Sequence, residues 1–270
     1  MKGLICLCAL LAVACTTSAP RPPPASQARV LLLGEIHDNP AGHQARHALL
    51  AAAIEQGWRP AIAMEQFDRD QQARLDQAQH NCRTADCLIE QAGQAGGWDW
   101  PLYRPLIQLA LDHRLPLLAA NLSRAEAGRA TREGLKALFD ADTRQRHGLT
   151  DTLPADIATA QLEAILDGHC RMLPKSVART MVSAQVARDV GMAAALLDGL
   201  ARQDAVVLIA GNGHVRRDVG VIRWLPAEVA RETRSHGFVE QGEPVAAFDT
   251  THTVPVQARP DPCEAFGKTS

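Results

Sequence analysis

The chain has 270 residues, and 28 basic residues stand against 30 acidic ones. With no basic run or stripe, this balance argues against a protein that grips nucleic acid through its phosphates. Beyond the N-terminal segment no apolar stretch is long enough to span a bilayer, and the roughly 240 residues that remain fit one α/β domain.

Met1 and Lys2 give a weakly positive start, followed by the short apolar run "LICLCALLAVA" and then Cys15. "LAVAC" fits a bacterial lipoprotein signal, with cleavage before Cys15 and acylation of its thiol and new amino group, although Ala12 replaces the commoner leucine. An ordinary secretory signal is the alternative. Thr16 follows the cysteine, with no aspartate there to retain the protein at the inner membrane, so the expected location is the outer membrane, held by the lipid. "TTSAPRPPPASQAR" is too rich in proline and small polar residues to pack a core. The expected organisation is a signal over 1–14, a lipid-anchored tether over 15–28 and one α/β domain over 29–270.

"RVLLLGE" reads as a buried strand ended by glycine, and residues 41–57 read as a helix with His43, His47, Leu50 and Ile54 on one stripe. "RPAIAMEQF" is a second strand, with Glu65 near its end. A polar helical stretch runs to about residue 93 and breaks at "GGWDWPLY". A helix over 102–113 leads to a third strand, "LPLLAAN", ending at Asn121. Residues 123–168 read as helical with interruptions at Gly128, Gly148 and Pro154, and residues 175–202 as one long helix. "DAVVLIAGNGH" is the fourth strand, ending at His214, and "PVAAFDT" is read as a last strand.

Strands alternating with helices predict a mainly parallel sheet covered by helices on both faces. In such sheets ligands bind outside the carboxyl ends of the strands. Glu35, His37, Glu65, Asn121 and His214 all sit at strand ends and are expected to line one cleft. "GEIH" and "GNGH" share a form in which glycine allows a tight turn and the histidine points over the sheet edge.

Cys82, Cys87, Cys170 and Cys263 remain once the signal and the lipid-bearing cysteine are set aside. An even count outside the cytoplasm suggests disulfides. Three pairings exist; Cys82–Cys87 closes the smallest loop, which leaves Cys170–Cys263. A four-cysteine zinc site is the competitor, but the paired CxxC spacing is missing.

"LLGEIHDNPAGH", "AMEQF", "WDWPLYRPL", "LLAANLSR", "MVSAQVARDVGMA", "AGNGHVRRDVGV" and "DPCEAF" together resemble the ChaN-like haem-binding lipoprotein family. That family falls in a superfamily with Tiki proteases, TraB proteins and erythromycin esterases (EreA-like). "GEIH" and "GNGH" are shared across the superfamily, whereas "WDWPLYRPL" and "QVARD" point to the ChaN-like branch. The resemblance implies haem binding at the outer membrane in haem or iron acquisition, a homodimer that stacks two haems, and a haem receptor or transporter as partner.

Trp98, Trp100 and Tyr103 lie within six positions in a chain that has only one tyrosine. A porphyrin needs a flat apolar surface, and its iron accepts tyrosine or histidine. Tyr103 is therefore the expected iron ligand. Along the long helix, Val177, Met181, Ala184, Gln185, Arg188 and Met192 share one stripe. Arg188 there needs a partner, either Asp38 or Glu35 as a structural one or a haem propionate as a functional one. His43 could reach the cleft, His47 not; His80, His113, His147, His236 and His252 read as surface or loop residues, and His169 as an outlying candidate. The competing expectation is an envelope hydrolase, an esterase or metal-dependent peptidase, with His37 and Glu65, or Glu35 and His214, activating water. In that reading His37 and His214 with a carboxylate could also hold a divalent metal.

Overall fold

The structure is a computed structural model that describes residues 28–93, 97–242, 247–261 and 263–264. Cys15, the signal and nearly all of the tether lie outside these residues. Six strands form one sheet: β1 (Val30–Leu33), β2 (Ala61–Asp68), β3 (Leu117–Asn121), β4 (Val206–Ile209), β5 (Thr233–Glu240) and β6 (Thr250–Val254). Their order is β3-β2-β4-β1-β5-β6, and every neighbouring pair is parallel.

Strands β1 to β4 read as largely apolar runs because both faces of the sheet are covered. Successive side chains alternate between two cores. Val30 and Leu32 enter one core, and Leu31 and Leu33 the other. Val206 and Leu208 divide from Val207 and Ile209 in the same way. Helices α1 (Pro40–Glu55), α2 (Gln72–Asn81), α3 (Ala85–Ala92) and α4 (Trp100–Asp112) cover one face. Helices α5 (Arg124–Glu133), α6 (Ala141–Arg146), α7 (Ala155–Gly168) and α8 (Lys175–Leu200) gather on the other. Two short helices, α9 (Asn212–Val215) and α10 (Ala227–Arg231), link β4 to β5. Among the described residues no helix is long and apolar enough to cross a membrane.

Helix α8 runs against the strand direction, because its C-terminal end feeds the start of β4. A Cβ on Gly199 would lie 2.8 Å from Val206 and 2.9 Å from Leu118, so glycine lets the helix end sit flat on the sheet. Going back along α8 from there, its middle reaches the carboxyl edge of the sheet.

Four expectations need correction. Gly128 does not interrupt a helix; it lies inside α5, which ends at Gly134 with φ at +80°. The last strand is Thr250–Val254, not 244–250: residues 244–246 lie outside the described residues, and 247–249 form a turn and bends. Strand β5 was not expected, since "TRSHGFVE" looks too polar. Its polar side chains are satisfied inside: Thr233 donates to the Val229 carbonyl at 2.8 Å and Ser235 to the Val215 carbonyl. Finally, His147 is buried, bonded to the Trp224 carbonyl at 2.7 Å, and His236 and His252 are half-buried and bonded to each other at 3.0 Å.

The cysteines pair as Cys82–Cys87 and Cys170–Cys263, with Cα atoms 5.6 and 5.5 Å apart. The second bridge ties the α7–α8 corner to the C-terminal tail across 93 residues.

Gly237 marks the tightest point of β5. A Cβ there would meet the Phe248 ring at 2.4 Å. Gly237→Ala should therefore overpack the contact and cost about 1–3 kcal/mol, despite alanine's better strand entropy. Urea unfolding of the two proteins measures it.

Candidate functional site

The centre of the carboxyl edge is built on Glu35. Its side chain is 2% exposed and accepts from four groups. Oε2 takes Arg46 Nη1, while Oε1 takes the Tyr103 hydroxyl at 2.6 Å, His37 Nδ1 at 2.8 Å and Gln66 Nε2 at 3.2 Å. Burial alone would raise the Glu35 pKa, but the Arg46 guanidinium and the two neighbouring histidines outweigh it and bring it from 4.5 down to about 2. Glu35 is thus an anion at neutral pH.

That charge settles the imidazoles around it. An ionised carboxylate only accepts, so His37 Nδ1 carries a proton, and in the neutral imidazole Nε2 is the free lone pair. The His37 side chain is 47% exposed and meets the Trp98 ring edge-on at 5.0 Å. Burial opposes its charged form, yet Glu35 and Glu65 together raise its pKa above the ordinary range. His43 lies one layer below: Nδ1 accepts from Arg46 at 2.9 Å and Nε2 donates to the His37 carbonyl at 3.0 Å. His43 therefore supports the His37 turn from behind.

The second wall comes from β2, α8 and the turn after β4. His214 Nδ1 lies 2.6 Å from Asp189 Oδ1, and Nε2 lies 3.6 Å from Glu65 Oε1. Gln185 Nε2 is 3.3 Å from both His214 ring nitrogens, and Gln161 donates to Asp189 at 3.2 Å. Burial works against a charged imidazole here, but Glu65 and Asp189 outweigh it and raise the His214 pKa. Glu65 Oε2 accepts the Gly211 amide at 2.7 Å, which locks the β4 turn to β2.

Gly211 joins the two walls. The point a Cβ would occupy there lies 3.1 Å from His37 Nε2 and 3.7 Å from Glu65 Oε2. The missing side chain leaves a gap of about one atom between an imidazole lone pair and a carboxylate.

The structure brings Glu35, His37, Glu65 and His214 together, but with partners exchanged. His37 pairs with Glu35 rather than Glu65, and His214 with Asp189 and Glu65 rather than Glu35. Asn121 ends β3 two strands away from β4 and caps its own strand end through the Leu122 amide at 2.9 Å. Arg188 pairs with neither Asp38 nor Glu35: Arg259 holds Asp38 and Arg46 holds Glu35. Arg188 makes no ion pair among the described residues, while its charge acts on Asp68, Asp189 and His214. Of its expected stripe, Val177 is 45% exposed and Met192 is buried. Trp98 and Trp100 are half-buried, whereas Tyr103 is fully enclosed, its pKa raised by burial and by Glu35. The phenol lies beneath His37 instead of at an open surface.

Arg46, Gln66 and Asp189 escaped the sequence reading. Asp189 stands one turn after Gln185, and Arg46 one turn after His43, so helical spacing held the signal for both. Among the described residues no group of three or more histidine, cysteine, aspartate or glutamate side chains is arranged to hold a metal ion.

Fold and cleft together define an open parallel α/β domain with paired histidine–carboxylate turns at its carboxyl edge. A family model described as haem-binding uptake, Tiki superfamily, ChaN matches residues 23–225, and the chain belongs to that family. Among solved structures, ChaN of Campylobacter jejuni with cofacial haem is 19% identical over 83% of this chain and 86% of its own, with a TM-score of 0.64, and has the same fold. An erythromycin esterase, EreC, in its open conformation is 14% identical over 82% of this chain and 74% of its own, with a TM-score of 0.45. No curated protein matches the sequence.

The pH dependence of the Glu35 cluster follows from its sign. The folded pKa of about 2 lies below the ordinary 4.5, so the stabilisation is fully present above 4.5 and is lost as pH falls toward 2. Arg46→Met leaves a buried carboxylate without its cation. It should cost about 3–5 kcal/mol at pH 7 and move acid unfolding to higher pH. Urea melts and an acid titration followed by circular dichroism check both.

Proposed function

We propose that this chain binds haem in the cleft, as a lipid-anchored outer-membrane protein that serves haem or iron acquisition. The observation that carries the reading is His37, a half-exposed imidazole with a free Nε2 whose Nδ1–H is fixed by a buried carboxylate. Haem iron accepts a histidine nitrogen, and a carboxylate behind a ligating histidine sets its orientation and basicity. Trp98 and Trp100 supply apolar surface beside it, and Arg188 supplies a cation free to pair with a propionate. Haem brings the iron; the chain's own residues hold the imidazole, exclude water from Glu35 and offer the charge. Tyr103, the residue first expected to reach iron, acts in this reading through its hydrogen bond to Glu35. The anchor rests on "LAVAC" and the absence of aspartate after Cys15. A homodimer and a receptor or transporter partner belong to the same proposal through the family.

Haemin titration of the purified protein, followed by its visible spectrum, tests the reading. His37→Ala should weaken binding by about tenfold or more and change the spectrum, and Tyr103→Phe should bind with a smaller change. An altered spectrum in Tyr103→Phe alone would return the ligand role to the phenol. If wild-type protein leaves the haemin spectrum unchanged, the haem reading falls.

The gap above Gly211 favours one second reading. A water there would face His37 Nε2, which can take its proton, and Glu65, which can orient it. In ester hydrolysis the water oxygen would bond to the acyl carbon and the proton would pass to the leaving alkoxide. Turnover of a chromogenic ester should then fall about 100-fold or more in both His37→Ala and Gly211→Ala, since the latter fills the gap. Equal rates in wild type and His37→Ala would exclude it.

A further inference from the structure

The C-terminal tail has anchors on both sides of the cleft. After β6 the chain turns back over the end of β5: the Pro255 carbonyl accepts from Asn39 Nδ2 at 2.8 Å and the Gln257 amide donates to Glu240 at 2.9 Å. Arg259 then bridges two carboxylates. Its Nε and Nη2 donate to Asp38 at 2.9 Å each, and Nη1 and Nη2 donate to Glu240 at 2.9 and 2.8 Å. Asp38 directly follows His37, so this anchor sits at the exposed imidazole. The other anchor is the Cys170–Cys263 disulfide at the corner before α8.

The geometry of α8 places that corner. Gln185 is level with His214, and the helix begins at Lys175. Ten residues of helix extend about 15 Å beyond that level. Cys263 is four residue steps after Arg259, and an extended chain of that length spans at most about 14 Å. The tail therefore links the His37 wall to the α7–α8 corner in one short step. Cys170 and Arg171 at that corner have φ of +55° and +56°, a left-handed backbone disfavoured for residues with side chains.

We propose that the tail is a thiol-operated strap that controls how long a ligand stays in the cleft. Closed, it ties the turn that carries His37 to the corner from which α8 starts. A dithiol reductant opens it: the Cys170–Cys263 bond breaks, two electrons and two protons pass from the dithiol to the two cysteines, and the dithiol leaves as its own disulfide. The corner then relaxes, and the tail is held only by the contacts of Pro255, Gln257 and Arg259 with Asn39, Glu240 and Asp38. The ligand part of this proposal rests on the haem reading; the mechanical part does not.

Two measurements on the full mature chain keep these apart. Haemin dissociation should be about tenfold faster in Cys263→Ser, and also in Arg259→Gln, which frees the other anchor with the disulfide intact. A Cys82→Ser/Cys87→Ser double variant should match wild type, which excludes a general effect of lost disulfides. Hydrogen exchange without ligand should show the Gln257 amide losing protection in Cys263→Ser. Equal haemin dissociation in all variants overturns the strap as a control on residence. An unchanged Gln257 amide overturns the strap itself. If haemin binds none of the proteins, the haem reading fails while hydrogen exchange still decides the strap.

Discussion

Glu35 is an anion with almost no exposed surface, and it stays ionised there only because Arg46 is buried against it. Taking both charges out of water is costly, and their attraction repays it only when the remaining lone pairs are filled. Here they are: Tyr103, His37 and Gln66 complete the carboxylate. One ion pair therefore fixes the β1 turn, the first helix, the aromatic segment and the end of β2 relative to one another. It also fixes the tautomer of the exposed imidazole. The site is a by-product of satisfying one buried charge.

The two walls of the cleft solve the same problem differently. On the α1 side a carboxylate is made permanent by a guanidinium, and the histidine it orients is left open to solvent. On the α8 side two carboxylates crowd one enclosed histidine, and a proton held by that imidazole lowers the repulsion. One wall opens its imidazole to solvent and the other encloses it. That contrast leaves the α1-side histidine within reach of a ligand and keeps the α8-side histidine inside the protein.

Strands β1 to β4 were legible because they are buried on both faces and read as largely apolar runs. Both glycine–histidine turns were legible for the same reason, since each ends such a run. Strand β5 was not, because Thr233 and Ser235 are satisfied by backbone carbonyls that only the folded chain brings near. The partners of the histidines were also hidden. Glu35 and His37 are two residues apart, but which carboxylate each histidine meets depends on strand order, and β4 lies between β1 and β2. Arg46 and Asp189 were written in helical spacing, but "HQARH" and "QVARD" draw the eye to other residues. Tyr103 was placed in the right neighbourhood and at the wrong depth.

The close seat of α8 on the sheet has a consequence for how the molecule comes apart. The residues that cover β2, β3 and β4 belong to the same rigid rod as Gln185 and Asp189. Fraying can reach the exposed first turns of that rod without touching the core, but it cannot remove the His214 wall without uncovering the sheet. The two walls therefore belong to regions of different opening cost. The α8 wall lasts as long as the fold itself, whereas the His37 side opens at the cost of parting the buried Glu35–Arg46 pair.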